Sequence, residues 1–536
     1  MGTYINKGNN AFRDIVSHEY VDKTSLIPLV NATLNSEDRY SCVTRCRRFG
    51  KSMAAKMLCA YYDKSCDSRE LFAGLEAETD GTFGKYLNKY RVIYLDVTSF
   101  TARPELGTHI VRAIQDSIIK ELKTEFPDVN YCEDSDLMDV ISAIHHSTNE
   151  KFFFIIDEWD AICRESPNRK KLKGVSEDVA PTILDEYVML LRRLFKTQDS
   201  DEVFAGVYLT GILPIKKYNT ESALNNFNEY SMIRPGKMST SLGFTHDEVR
   251  MLCLKHGMDL EQMEQWYDGY RIGKASRIFN PYSVIKAIHA EAYGSYWTTT
   301  GAYDSVITYI QMNYEGLKDD IIRMLAGERV YVNTSKFQND ISVVRSKNDV
   351  FTVLIHLGYL AYDDENRQCY IPNKEVADEF LNAVEDTSWT RLVDAITASR
   401  NLLDATLAGN AQAVAKAIDQ AHDENTSILS YNDENSLACV LTVAYIWARN
   451  EYVIHREYAS GKGYADLVMI PRRNVSKPAL VVELKFSHTA DTAIDQILRK
   501  DYPAKVVEYT GDLLLVGVNY DKESKRHACR IERIRK

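Results

Sequence analysis

The stretch Arg45–Ser52 reads R-C-R-R-F-G-K-S, and it constrains the first half of this chain more than any other. It follows an extended run, Tyr40–Thr44, and leads into an apolar helical pattern from Met53 to Leu58. A Gly-Lys-Ser at a strand-to-helix junction ends a phosphate-binding loop. Gly50 lets the backbone approach a phosphate, amides at the helix N-terminus donate, Lys51 brings charge, and Ser52 offers its hydroxyl to Mg²⁺. Loops of this kind normally carry glycine where Arg45 stands. A basic turn capping a helix is the competing reading of so short a signal.

A second segment supports the loop, with a strand ending in solvated acids as its own plain alternative. Phe152–Ile156 is a short apolar run bounded by charge, as a strand buried on both faces requires. It ends in Asp157-Glu158-Trp159-Asp160. A carboxylate at the tip of a core strand, Asp157, can hold the water shell of Mg²⁺, and Glu158 can polarise an attacking water. Loop and acidic strand, in this order, point to nucleotide binding.

R-C-R-R-F-G-K-S, I-I-D-E-W-D and Leu209-Thr210-Gly211-Ile212-Leu213 together resemble the AAA-ATPase-like family fused to a PD-(D/E)XK nuclease domain. That family's loop is similar to R-P-R-R-F-G-K-S, so Cys46 departs from its proline, and Trp159 departs from its usual tyrosine. Further likeness lies in G-F-T-x-x-E-V at Gly243–Val249, W-Y-x-G-Y at Trp266–Tyr270 and N-P-x-S-V at Asn280–Val284. These three read physically as packing corners of a helical lid. ATP would be held by Phe49, Gly50, Lys51, Ser52 and Asp157, and by at least one of Arg47 and Arg48, since the missing glycine leaves the loop short of backbone donors; a neighbouring subunit's nucleotide or solvent is the alternative for these two arginines. The resemblance also implies that Thr210 senses the γ-phosphate or the water, with capping of the turn as the alternative role. At Val21–Thr24, V-D-K-T reads first as a helix cap through Asp22 or Thr24; a similar segment precedes the loop in the family, where lining the nucleotide pocket is the alternative role.

Composition bounds the rest. A chain of 536 residues is too long for one core, and 45% hydrophobic with 26% charged residues supports globular packing. The net charge of −11 argues against a uniformly basic coat for nucleic acid, though not against a local basic track. Ten cysteines give no disulfide-scaffold density, and Cys42 and Cys46 lack a second metal-ligand pair. Met1–Asn10 has no apolar signal region, and Ala438–Ala448 is too short to span a bilayer. These features predict a soluble cytoplasmic protein with no membrane partner; homo-oligomer formation is left open.

The last hundred residues carry another constellation. Gly461–Ile470 reads as a glycine turn running into a strand, and Ala479–Lys485 as a second, antiparallel strand. Asp466 stands on the first, Glu483 and Lys485 on the second, the latter two on one face because strand side chains alternate. Two carboxylates and a lysine are what metal-assisted phosphodiester hydrolysis needs. Asp466 and Glu483 would hold Mg²⁺, with Mn²⁺ as an alternative, and Lys485 would orient or help deprotonate water. A surface hairpin with a salt bridge is the bland alternative. The resemblance adds Glu434, where such nucleases often carry an extra metal-site glutamate, and Gln496, matching the family's A-x-x-Q-I.

The expected fold is α/β. A P-loop parallel sheet with flanking helices occupies 1–240, a helical, winged-helix-like lid 241–380, a helical connector 381–430, and a restriction-endonuclease-like domain 431–536. The expected function is ATP binding and hydrolysis joined to Mg-dependent cleavage of nucleic acid, most readily DNA. The rival is a nucleotide-switched nucleic-acid-binding regulator that does not cut.

Overall fold

The structure is a computed structural model. It describes the chain apart from residues 1, 165–182, 216–223, 298–307, 313, 326, 338–343, 386–389, 426–443, 446–447, 449–451, 461–462, 472–476, 487–488, 500–510, 522 and 536. The basic insertion around Ser166–Gly174 and Glu434 lie outside the described residues. The chain divides into two compact units, one of residues 1–309 and 329–379, the other of 310–328 and 380–536.

The first unit is built on a five-stranded sheet of β1 (Tyr40–Thr44), β2 (Arg91–Asp96), β3 (Phe152–Asp157), β4 (Phe204–Gly211) and β5 (Asn228–Tyr230). The spatial order is β2-β3-β4-β1-β5, and every pairing is parallel. The all-apolar run at β3 shows why both faces must be covered. Phe152, Phe154 and Ile156 join one core with helices Ile110–Glu125, Leu137–Thr148 and Ile183–Phe195. Phe153 and Ile155 join the opposite core with helix Lys51–Tyr62. Each fully buried aromatic or aliphatic side chain of this kind contributes roughly 1.5–3 kcal/mol. The parallel arrangement gathers the carboxyl ends of β1, β3 and β4, with Thr44 opposite Gly211 and Val43 opposite Thr210, at one edge. Ligands of such sheets bind there.

Residues 241–379 are less purely helical than expected. They hold two three-stranded antiparallel sheets: β6 (Phe244–Thr245), β7 (Tyr270–Ile272) and β8 (Ala275–Phe279), then β9 (Val330–Tyr331), β10 (Ala361–Asp363) and β11 (Gln368–Tyr370). These strands are two to five residues long, too short to leave a period-two pattern. The capping box forms as its spacing demands: the Thr245 amide donates to Glu248 at 2.6 Å, and the Glu248 amide donates back to Thr245 Oγ1 at 3.4 Å. In W-Y-D-G-Y, Gly269 has φ +101° and passes so close to the Pro372 carbonyl that no side chain would fit. That motif is a packing corner.

The second unit carries a five-stranded mixed sheet in sequence order: β12 (Tyr452–Ser460), β13 (Gly463–Pro471), β14 (Ala479–Phe486), β15 (Leu513–Asp521) and β16 (Arg526–Ile534). β14 and β15 are parallel and the other neighbours antiparallel. Helices Thr390–Leu407 and Ala411–Asn425 meet at Gly409, which adopts φ +73°. Leu402, Leu403, Val414 and Ile418 from this pair cover the Leu480, Val482 and Leu484 face of β14. Ile494 and Ile497 of helix Ala490–Arg499 cover the Val481 face.

Candidate functional site

The loop between β1 and helix Lys51–Tyr62 is shaped by two buried residues, Arg45 and Phe49. Arg45 is fully buried, and its guanidinium donates to the carbonyls of Thr44 (2.8 Å), Tyr230 (2.9 Å) and Met238 (2.6 Å). Burial lowers its pKa to about 10. Phe49 is buried edge-on against Tyr270, with ring centroids 5.1 Å apart, and its carbonyl accepts from the Gly243 amide. Between these anchors Arg48 and Gly50 take left-handed backbone conformations, φ +69° and +84°. Gly50 is thereby the natural occupant of the turn into the helix, where free amides accumulate.

Lys51 Nζ is nearly buried, donating to the Cys46 carbonyl at 3.1 Å and lying 3.7 Å from Glu158 Oε1. Ser52 hydrogen-bonds Asp157, which also accepts from Tyr94 Oη (3.1 Å) and from the Glu158 amide (3.0 Å). Burial is the main cause raising the Asp157 pKa to about 6, and the Ser52 hydrogen bond opposes it. Glu158 sits at φ +51°, a left-handed position uncommon for a side-chain-bearing residue and typical of functional strain. Its Oε2 accepts from Arg164 Nη2 at 2.5 Å. Arg164 Nε donates to Asp160 Oδ2 at 3.0 Å, and Asp160 in turn accepts from the Ile212 and Leu213 amides.

A cavity of about 600 Å³ opens against this array. Arg47, Arg48, Gly50, Lys51, Ser52, Glu158 and Arg164 form its polar wall, and Tyr20, Val21, Phe244, Pro281, Tyr282 and Ile285 form an apolar one. The Arg48 guanidinium lies 4.5 Å over the Tyr282 ring. Lys23, from V-D-K-T, also lines the cavity and pairs with Glu248 at 2.7 Å. Cations, amides and a carboxylate beside an apolar wall fit a nucleoside triphosphate with its Mg²⁺. Thr210 lies elsewhere: its hydroxyl is buried and donates to the Val43 carbonyl at 2.9 Å, and it does not line the cavity.

In the second unit, Glu483 is almost fully buried on β14. Its Oε1 accepts from Lys485 Nζ at 3.3 Å and from Gln496 Nε2 on helix Ala490–Arg499. The helix comes this close because Gly517, the β15 partner of Glu483, has no side chain; a Cβ there would meet the Ala490 carbonyl at 2.5 Å. The β13–β14 register, Leu467 opposite Val482, sets the Asp466 backbone next to Glu483. The Asp466 side chain lies outside the described residues, and among those described no three His, Cys, Asp or Glu cluster as a metal site. A buried carboxylate beside a lysine is oxygen-donor chemistry suited to a hard divalent ion.

Comparison with known families matches both centres. Residues 7–220 match the predicted AAA-ATPase family model, and residues 432–529 match the PD-(D/E)XK nuclease superfamily model. The chain is a fusion of these two domains. No curated protein matches it significantly. Among solved structures, the Aeropyrum pernix ORC1 protein in complex with DNA aligns over 73% of this chain and 100% of its own, at 11% identity and a TM-score of 0.27.

Within the AAA-ATPase-like domain, the sequence had named Arg47–Ser52, Asp157 and Glu158, and the fold brings them together. It had not named Arg164, Asp160 as its brace, or the apolar wall. The signal for the brace was present, since Asp160 and Arg164 are four apart and residues 161–164 are helical. Nothing local marks Tyr20 or Ile285, because distant segments meet at the cavity. In the PD-(D/E)XK domain Glu483, Lys485 and Gln496 converge; the missed residue is Gly517, which lets the helix reach them.

Proposed function

We propose that the AAA-ATPase-like domain binds and hydrolyses ATP with Mg²⁺, and that the PD-(D/E)XK domain uses a divalent ion to cut nucleic acid, foremost DNA. The observation that carries the reading is the convergence of Gly50–Ser52 with Glu158 at one cavity, with Asp157 hydrogen-bonded to Ser52 behind it. Lys51 and the amides of the helix N-terminus hold the phosphates, and Ser52 and Asp157 hold the ion, which offsets phosphate charge. Glu158 orients the attacking water and takes its proton. Thr210 keeps a supporting place at the end of β4, with its hydroxyl engaged on β1.

In the second domain Glu483 and Asp466 hold the ion, with Glu434 as an additional acid. Lys485 orients water and balances phosphate charge, and Gln496 fixes the Glu483 carboxylate. The domain divisions at about 240, 380 and 430 stand as part of this proposal. Among the described residues no helix is long and apolar enough to cross a membrane. The test is cleavage of a panel of labelled single- and double-stranded DNA and RNA with Mg²⁺ or Mn²⁺, with and without ATP. Cleavage lost in Glu483→Ala supports the reading. Binding of nucleic acid without cleavage by the native protein would replace it with the regulatory one.

A further inference from the structure

Glu158 has both carboxylate oxygens engaged by cations. Lys51 Nζ lies 3.7 Å from Oε1, and Arg164 Nη2 lies 2.5 Å from Oε2. The close contact from Arg164 fixes the orientation of this carboxylate, while Lys51 adds only a longer-range attraction. Both cations also line the cavity with the phosphate loop. Arg164 is not loosely held: its Nε is fixed to Asp160, whose own carboxylate is fully buried and pinned by the Ile212 and Leu213 amides. The guanidinium is therefore anchored at Nε, while its Nη end reaches the cavity side of Glu158.

We propose that Arg164 is a triphosphate-sensing positioning residue, which clamps Glu158 until a terminal phosphate takes over its Nη donors. The inference rests on the ATP reading above. Its chemistry is competition between two anions for one fork. The terminal phosphate of a triphosphate carries enough charge and acceptor oxygens to draw Nη2 from Glu158. A diphosphate lacks that group, so Glu158 stays paired. The clamp thus couples the free state of Glu158 to the presence of a hydrolysable phosphate, and it restrains Glu158 when the cavity holds anything else.

Calorimetric titration of ATP and ADP, with Mg²⁺, into the native chain, Arg164→Gln, Arg164→Lys and Glu158→Gln tests this, with turnover measured separately. Loss of one charge-assisted donor should weaken ATP about tenfold in Arg164→Gln while changing ADP affinity less than about twofold. Arg164→Lys should recover part of the loss. Glu158→Gln removes the competing anion and leaves the fold's brace intact, so it should bind ATP more tightly relative to ADP than the native chain does. Equal weakening of both nucleotides in Arg164→Gln, or an unchanged ATP-to-ADP ratio in Glu158→Gln, overturns the proposal and leaves Arg164 as a brace. A native chain that binds neither nucleotide overturns the ATP reading itself.

Discussion

The guanidinium of Arg45 donates to the carbonyl oxygen of Met238 across 2.6 Å, tying the start of the phosphate loop to the segment after β5. The residue that replaces the usual glycine is thus a structural tie, and it does not line the cavity that Arg47–Ser52 border.

Replacing Arg45 should therefore cost stability before it costs phosphate affinity. Arg45→Ala leaves three carbonyls, two of them buried, without their charged donor, a loss on the order of 3 kcal/mol. Arg45→Gly, although it restores the common loop residue, should be destabilised by as much or more. Urea unfolding of both variants beside the native chain measures it.

Glu158→Gln should bind ATP at least as tightly as the native protein and turn it over negligibly. The amide keeps the side chain's size but cannot accept the proton of the attacking water. Single-turnover assays with prior binding measurements separate the two effects.

The sequence made the chemistry of both centres legible because that chemistry is local: G-K-S, D-E-W-D and E-L-K each place their groups within a few residues. It also made the principal strands legible, since β3 reads as an apolar run buried on both faces and β14 opens with the apolar run Ala479–Val482. What it hid depends on long-range meeting. The acceptors of Arg45 come from residues 230 and 238, so nothing beside the loop announces why arginine stands there. Trp159 is explained the same way: its indole N–H donates to the Leu213 carbonyl at 3.1 Å, filling a position next to β4. Thr210 looked like a ligand because it ends a strand at the ligand edge, yet parallel pairing with β1 supplies its hydroxyl with the Val43 carbonyl.

Asp157 gives the site a pH signature. Its carboxyl, buried at the end of β3, has a folded-state pKa raised from 3.8 to about 6. The folded chain then holds this proton more tightly than the unfolded chain, so stability from this group is full below the unfolded value and falls as pH rises toward 6 and above. Asp157→Asn should gain stability relative to the native protein as pH climbs from 4 to 7, by at most roughly 3 kcal/mol. Paired thermal melts across that range check the sign. A difference constant with pH would contradict it. If Asp157 holds Mg²⁺ as proposed, the same proton would have to leave first, and Mg-dependent ATP binding should strengthen through the same window.

Gly517→Ala should disturb the second centre without touching any of its polar groups. Its Cβ would meet the Ala490 carbonyl at 2.5 Å, forcing helix Ala490–Arg499 outward and drawing Gln496 off Glu483. The expected cost is about 1–3 kcal/mol with weakened cleavage, whereas Gln496→Ala should weaken cleavage with little loss of stability. ATP binding should be unchanged in both variants, since the phosphate loop belongs to the other unit.

Calorimetric titration of Mg·ATP into the native chain and Lys51→Ala shows whether the cavity over Gly50–Ser52 is a nucleotide site. Lys51 is nearly buried and donates to the loop's own Cys46 carbonyl, so its ammonium is already held where phosphates would arrive. The native protein should show saturable one-site binding, weakened at least about tenfold in Lys51→Ala by loss of a charge-assisted contact. Equal affinity in the two proteins, with Lys51→Ala folded, would contradict it.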